Sequence, residues 1–223
     1  MSGKFDDSAI LFDLDGTLID TAADLGAATN AALAKLGYGP VPRSAVRNLI
    51  GNGGRAMLAR GYEIVAGGEA DRDVLDAGVG YFLDFYEKNI AVDSAPFPGA
   101  IASIDRLRAQ GAKIAICTNK REALARRLIE TLGLEDRFDV IVGADTAAAP
   151  KPDPAPVRFC LERLGAGRGV FVGDSDTDIR AAQASGLPCI LVDFGYGPTE
   201  LAENAAARIS HFRALEAAIA STL

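Results

Sequence analysis

The chain has 223 residues, 49% of them apolar, enough for one large domain or a core with a smaller insert, which argues against wholesale disorder. Its formal net charge is −7, from 23 basic and 30 acidic residues, a sign that argues against a nucleic-acid partner. If the ligand is an anion, the site must bring its own positive charge, most simply a metal ion.

The N-terminal stretch MSGKFDDSAI has no long apolar run behind a basic start, and no apolar run in the chain reaches membrane-spanning length. A cytoplasmic protein without a membrane partner is expected. AILFD (9–13) then reads as a first strand that ends in acid. It runs into FDLDGTLID (12–20), where Asp13, Asp15 and Asp20 surround a Gly-Thr pair. Asp and Gly are depleted in strands and like charges this close repel, so something other than the strand must want them there.

Roughly eighty residues without a strand candidate follow, too many for a simple crossover. Residues 21–36 read as a helix with Leu25, Ala28, Ala32, Leu33 and Leu36 on one side, begun by Asp20 at or near its N-cap. Ser44 is placed to cap a short helix that ends at Ile50. Residues 73–86 carry Leu75, Val79, Phe82, Leu83 and Tyr86 at helical spacing. The segment reads as an inserted all-helical cap domain, residues 20–95, with connectors at 19–21 and 94–98. Residues 1–19 and 96–223 form the core domain.

Beyond Pro96 a rhythm sets in. KIAICTN (113–119), DVIVGAD (139–145), GVFVGDSD (169–176) and CILVDF (189–194) are apolar runs with polar ends and no clean alternation, as in strands covered on both faces. Helical patterns at 100–110, 122–132, 156–164 and 176–185 each stop at a glycine, the usual C-cap. The fold class is therefore α/β, a Rossmann-like parallel sheet with helices on both faces. The polar strand ends then gather at one sheet edge, where ligands bind in such folds. Cys117, Cys160 and Cys189 show no metal-binding spacing and are expected as buried free thiols.

That edge collects Asp13 and Asp15, then Thr118 and Asn119, then Lys151 in APKPDP, then Asp174 and Asp178 in GDSDTD, whose Asp176 reads as a helix N-cap. Converging carboxylates repel unless a hard cation sits among them, and oxygen-only ligation with a substrate phosphate suits Mg²⁺. Thr and Asn donate to anionic oxygens, and Lys supplies a point charge. A carboxylate beside such a metal can act as nucleophile towards phosphorus. Phosphoryl transfer otherwise asks mainly for positioning and neutralisation. In the cap, VRNLIGNGGRAM (46–57) offers Arg47, Asn52 and Arg55 to a substrate carboxylate, and Lys120 is a further candidate.

Taken together, these motifs resemble the haloacid dehalogenase-like superfamily, and within it the phosphoglycolate phosphatase branch. DLDGT matches its first motif, Thr118 its second, Lys151-Pro152 its third and GDSDTD its fourth, over the whole chain. The resemblance implies Asp13 as nucleophile and Asp15 as acid, then base. It implies Thr118 and Asn119 on the phosphoryl oxygens and Lys151 as neutralising charge. Gly16 and Thr17 would offer N–H groups to phosphate. Mg²⁺ would be held by Asp13, the Asp15 carbonyl and Asp174, with Asp178 acting from behind them. Asp15 favours ester hydrolysis over dehalogenation. The only histidine, His211, stands far from the cap, which argues against a mutase. The expected substrate is a small anionic phosphate ester, foremost 2-phosphoglycolate. Sugar phosphates, nucleotides and pyrophosphate are the alternatives, and a phospho-binding receiver module fits poorly because its motif order differs. A monomer or homodimer is expected.

Overall fold

The computed structural model describes residues 3–51, 53–197 and 199–223. Strand β1 (Ser8–Phe12) leads to a short β2 (Ile19–Asp20), helices α1 (Ala22–Lys35), α2 (Gly53–Ala66) and α3 (Arg72–Lys88), and β3 (Ala95–Pro96). Then come α4 (Ala100–Ala109), β4 (Lys113–Cys117), α5 (Glu122–Thr131), β5 (Val140–Val142) and α6 (Ala155–Leu164). The chain closes with β6 (Arg168–Gly173), α7 (Asp176–Ala184), β7 (Cys189–Val192), β8 (Ala207–Ile209) and α8 (Leu215–Thr222).

Six strands form one sheet in the order β5-β4-β1-β6-β7-β8, and every neighbouring pair is parallel. The chain moves outward from β1 through β4 and β5, then returns to β6 on the other side of β1. The direction of winding thus reverses at β1, where the crevice of a doubly wound sheet lies.

The runs lack alternation because both faces are buried. Ile10, Phe12, Ile114, Ile116, Val170 and Val172 fill one face with α5 and α8 side chains such as Leu128 and Ile219. Ala9, Leu11, Ala115, Cys117 and Phe171 fill the other with Val157, Cys160 and Ile179 of α6 and α7. Burying one such Leu, Ile or Phe side chain contributes about 1.5–3 kcal/mol. Cys117, Cys160 and Cys189 are buried free thiols.

Between β2 and β3 the chain is helical, with α1, α2 and α3 packed on one another. Gly61 of α2 and Gly78 of α3 do not break them, because close approach requires a small residue at each. A Cβ on Gly61 would lie 3.0 Å from Thr29, and one on Gly78 would lie 2.4 Å from Leu58. Ser44 lies inside a 3₁₀ segment, Arg43–Leu49, behind Pro42, and does not cap it. Thr21, not Asp20, is the cap residue of α1, and Asp20 accepts the Ala22 N–H at 3.3 Å. The two connectors lie side by side as an antiparallel ladder, Ile19 opposite Pro96 and Asp20 opposite Ala95. Buried Asp24 pins the second connector by accepting from Ser94 N (2.9 Å) and Ser94 Oγ (2.6 Å). Among the described residues no helix is long and apolar enough to cross a membrane.

Candidate active site

Asp13 continues β1 by one residue, its N–H bonded to Val172 O of β6 at 2.9 Å. The chain then turns sharply, with Leu18 and Ile19 N–H groups both reaching Leu14 O at 3.0 Å. Leu14, Leu18 and Ile19 point into the core, which leaves Asp13 and Asp15 at the rim. The sequence alternates acid and apolar here because one face of a tight turn is buried and the other opens on a cavity.

Thr118 follows β4 and is fixed by its N–H on Val142 O (3.0 Å). Lys151 reaches in from the loop after β5, its side chain only 1% exposed, with Nζ 3.0 Å from Asp13 Oδ1 and 2.7 Å from Asp178 Oδ1. Asp174 follows β6. Its Oδ2 accepts from Tyr196 N (2.7 Å) and Gly197 N (3.0 Å), and its Oδ1 accepts from Thr17 Oγ1 (3.0 Å). The other oxygen of Asp178, Oδ2, accepts from Asp174 N and from Ser175 N and Oγ, which closes the N-terminus of α7.

Burial pushes the Asp13 carboxyl up to about 7, with Lys151 pulling against it and Asp178, Asp174 and Asp15 adding to it. Burial, then Asp178, raises Asp174 to about 6. For Lys151, burial opposes the charge, but Asp13 and Asp178 outweigh it and hold the ammonium well above its usual range. One carboxylate oxygen each from Asp13, Asp174 and Asp178 lie within 4.8 Å of one another. Three carboxylates against one ammonium leave two negative charges. Asp13 Oδ1 is buried without a hydrogen-bond partner of good geometry. An all-oxygen donor set with that charge fits a hard dication.

Asp15 is held separately. Lys120 Nζ meets its two oxygens at 3.0 and 2.9 Å, and Thr21 Oγ1 donates to Oδ1 at 2.8 Å. Lys120 is itself buried against the Tyr86 ring, 4.6 Å from its centroid. Its burial disfavours the charge, yet Asp15 more than compensates.

Several expected contacts fall elsewhere. The Gly16 and Thr17 amides close the turn, on Ile19 O (3.0 Å) and Leu14 O (3.4 Å), so they are not free for phosphate. Asn119 lines the cavity, but its Nδ2 braces Lys151 O at 2.9 Å. Asp176 does not cap α7, since Ser175 does; its carboxylate receives the Glu200 and Leu201 amides. Arg55 lines the cavity with its guanidinium bound to Asp76. Arg47 is not brought to the cavity. It pairs with Asp20 at 2.9 Å and lies over the Tyr196 ring. Asn52 lies outside the described residues.

Tyr196 was not legible as a site residue. Its amide holds Asp174, while its hydroxyl donates to Asp20 and accepts from Thr21 N at 2.9 Å. The signal was the Gly-Tyr-Gly after the fifth apolar run. A Cβ on Gly195 would stand 2.1 Å from the Asp174 Cβ, and one on Gly197 would stand 2.3 Å from the Ser175 Cβ.

Gly16 has φ +87°, and a Cβ there would stand 2.6 Å from Asp174 Oδ2 and 2.9 Å from the Tyr196 ring. Gly16→Ala is expected to cost about 1–3 kcal/mol of stability and to displace Asp174. Thermal unfolding with and without Mg²⁺ checks both, and a variant with unaltered melting and metal response would refute the close approach.

A cavity of about 380 Å³ lies over these groups, floored by Asp13, Asp15 and Thr118 and walled from the helical segment by Ile50, Met57, Phe82 and Tyr86.

The profile of the haloacid dehalogenase-like hydrolase family matches residues 10–192. A phosphoglycolate phosphatase of Mesorhizobium japonicum is 44% identical over 219 residues, covering 96% of this chain and 95% of that protein. The solved structure of a protein from Lactobacillus delbrueckii subsp. bulgaricus superposes with TM-score 0.88 at 28% identity, over 96% of this chain and 98% of that one. CbbY of Rhodobacter sphaeroides, solved in complex with phosphate, gives TM-score 0.75 at 28% identity, over 95% and 98%.

Proposed function

The chain belongs to the haloacid dehalogenase-like hydrolases, as a phosphoric monoester hydrolase, and on that premise we propose that it works through a phosphorylated Asp13. The observation that carries this reading is Asp13 itself. It is mostly shielded, beside Lys151 and within reach of Asp174 and Asp178, at the floor of the cavity.

In this reading an Asp13 oxygen attacks phosphorus as the ester P–O bond breaks, and the departing alkoxide takes a proton from Asp15. Water then attacks the acyl phosphate, giving its proton to Asp15, and inorganic phosphate leaves. Lys120 on both Asp15 oxygens and Thr21 on Oδ1 hold the side chain in place for the two proton transfers. Thr118 offers its hydroxyl to the phosphoryl oxygens, and Lys151 neutralises them together with Asp13. Asp13, Asp174 and the Asp15 carbonyl would hold Mg²⁺, with Asp178 orienting Lys151 and the start of α7. The ion supplies charge neutralisation at the phosphoryl group. Residues 20–95 act as a cap over the core formed by 1–19 and 96–223, excluding water during transfer.

The substrate of this reading is 2-phosphoglycolate, the activity named for the Mesorhizobium japonicum relative. Phosphate release from 2-phosphoglycolate, sugar phosphates and nucleotides, with Mg²⁺ and with EDTA, tests it. The expected result is release that depends on Mg²⁺ and is fastest with 2-phosphoglycolate among these polar esters. Release undiminished by EDTA would remove the metal from the reading, and a preference for sugar phosphates would remove the substrate.

A further inference from the structure

Beyond the phosphoryl site the wall of the cavity is largely apolar. Leu25, Ile50, Val79, Phe82, Leu83 and Leu124 supply most of it. The cations that line it are already paired. Arg55 is bound to Asp76, Lys120 to Asp15, and Arg121 stands 3.7 Å from Asp145. Among the described residues no unpaired cation faces the space beyond the phosphoryl site. A glycolate carboxylate placed there would be desolvated against apolar side chains, or would have to take a cation from an existing partner. The volume, about 380 Å³, lies in the range of pockets that enclose drug-sized ligands, roughly 300–1,000 Å³.

We infer that the cavity takes, beyond phosphoglycolate, phosphate monoesters of uncharged alcohols with apolar surface about as large as a hexyl chain. It turns them over at least as efficiently as 2-phosphoglycolate. The inference rests on the hydrolase reading and extends its substrate class. The phosphoryl group sits at Asp13 and Thr118, and the alcohol lies against Phe82, Leu83 and Val79 of α3. Apolar surface removed from water in the bound state then adds to transition-state binding in proportion to chain length.

The test is kcat/KM for ethyl, butyl and hexyl phosphate beside 2-phosphoglycolate, with Mg²⁺. The alkyl esters share one leaving-group chemistry, so the series reads burial alone. Each added methylene is expected to raise kcat/KM about fourfold, and hexyl phosphate to match or exceed 2-phosphoglycolate. Leu83→Asn should lower the hexyl-to-ethyl ratio at least about fivefold, and an unchanged ratio overturns the assignment to this wall. A flat or falling series, with 2-phosphoglycolate turned over, overturns the inference and leaves the hydrolase reading intact. No release from any ester overturns both.

Discussion

Asp13→Asn is expected to abolish phosphate release, by at least about 10⁴-fold in kcat, and at the same time to stabilise the metal-free protein. The first effect follows because an amide cannot form the acyl phosphate. The second follows from burial. The Asp13 carboxyl has its folded pKa raised from 3.8 to about 7, burial being the largest cause and Lys151 the main opposing one. A carboxyl shifted upward contributes stability that is fully present below its unfolded value and is lost as pH rises through its folded value. Without metal, the wild type should therefore weaken between about pH 4 and pH 7 relative to the variant. Above that window the Asn variant should be ahead by about 1–3 kcal/mol, since it leaves one fewer buried charge and Lys151 keeps Asp178. Saturating Mg²⁺ should reverse the order, because only the wild type offers the full set of oxygens. Melting curves in EDTA at pH 5 and pH 8, repeated with Mg²⁺, decide it. A variant that melts lower than wild type at pH 8 in EDTA would contradict the electrostatic account, and appreciable turnover would contradict the nucleophile.

Lys151→Met should do the opposite to stability. The ammonium is the single positive charge within salt-bridge reach of both Asp13 and Asp178 among the described residues, at 3.0 and 2.7 Å, and it is almost wholly shielded from water. Met fills a similar volume but leaves three carboxylates to one another. Breaking a buried pair by deleting one partner costs about 3–5 kcal/mol, and loss of a preorganised charge at the transferring group costs about 10²–10³ in kcat. Lys151→Arg is not a rescue, because a planar guanidinium does not fit a site built for a point charge. Urea unfolding and steady-state phosphate release measure the two effects. An unfolding free energy within about 1 kcal/mol of wild type would mean that Asp178 and Asp13 are stabilised from elsewhere.

Much of the core was legible in the sequence because a strand buried on both faces writes an unbroken apolar run, and the first polar residue beyond it marks the sheet edge. Asp13, Thr118 and Asp174 were placed at that edge in this way, and Lys151 through its spacing to GDSDTD. Strand β8 was not, since three residues, one of them buried, carry no period. Helix α2 was obscured by Gly54 and Gly61, which serve close packing and not a turn. The cap arginines are harder to read because a charged side chain announces its valence but not its partner. Arg47 and Arg55 are both spent on acids of the helical segment and its connector, Asp20 and Asp76. Lys120 was noticed for a substrate carboxylate and turned out to hold Asp15, more than a hundred positions away in the chain, a pairing that only the fold creates.

The pairing of Ile19 with Pro96 and Asp20 with Ala95 also makes the helical segment a cassette. The chain leaves the core and comes back to it at neighbouring points. Whatever lies between needs only its two ends close together, the geometry under which insertions are tolerated. The proposed nucleophile Asp13, its partner Lys151 and the neighbouring Asp174 stay with the sheet whichever helices are spliced in. On the proposed reading, chemistry and much of the selectivity are thereby written on separable stretches of one gene, free to diversify at different rates.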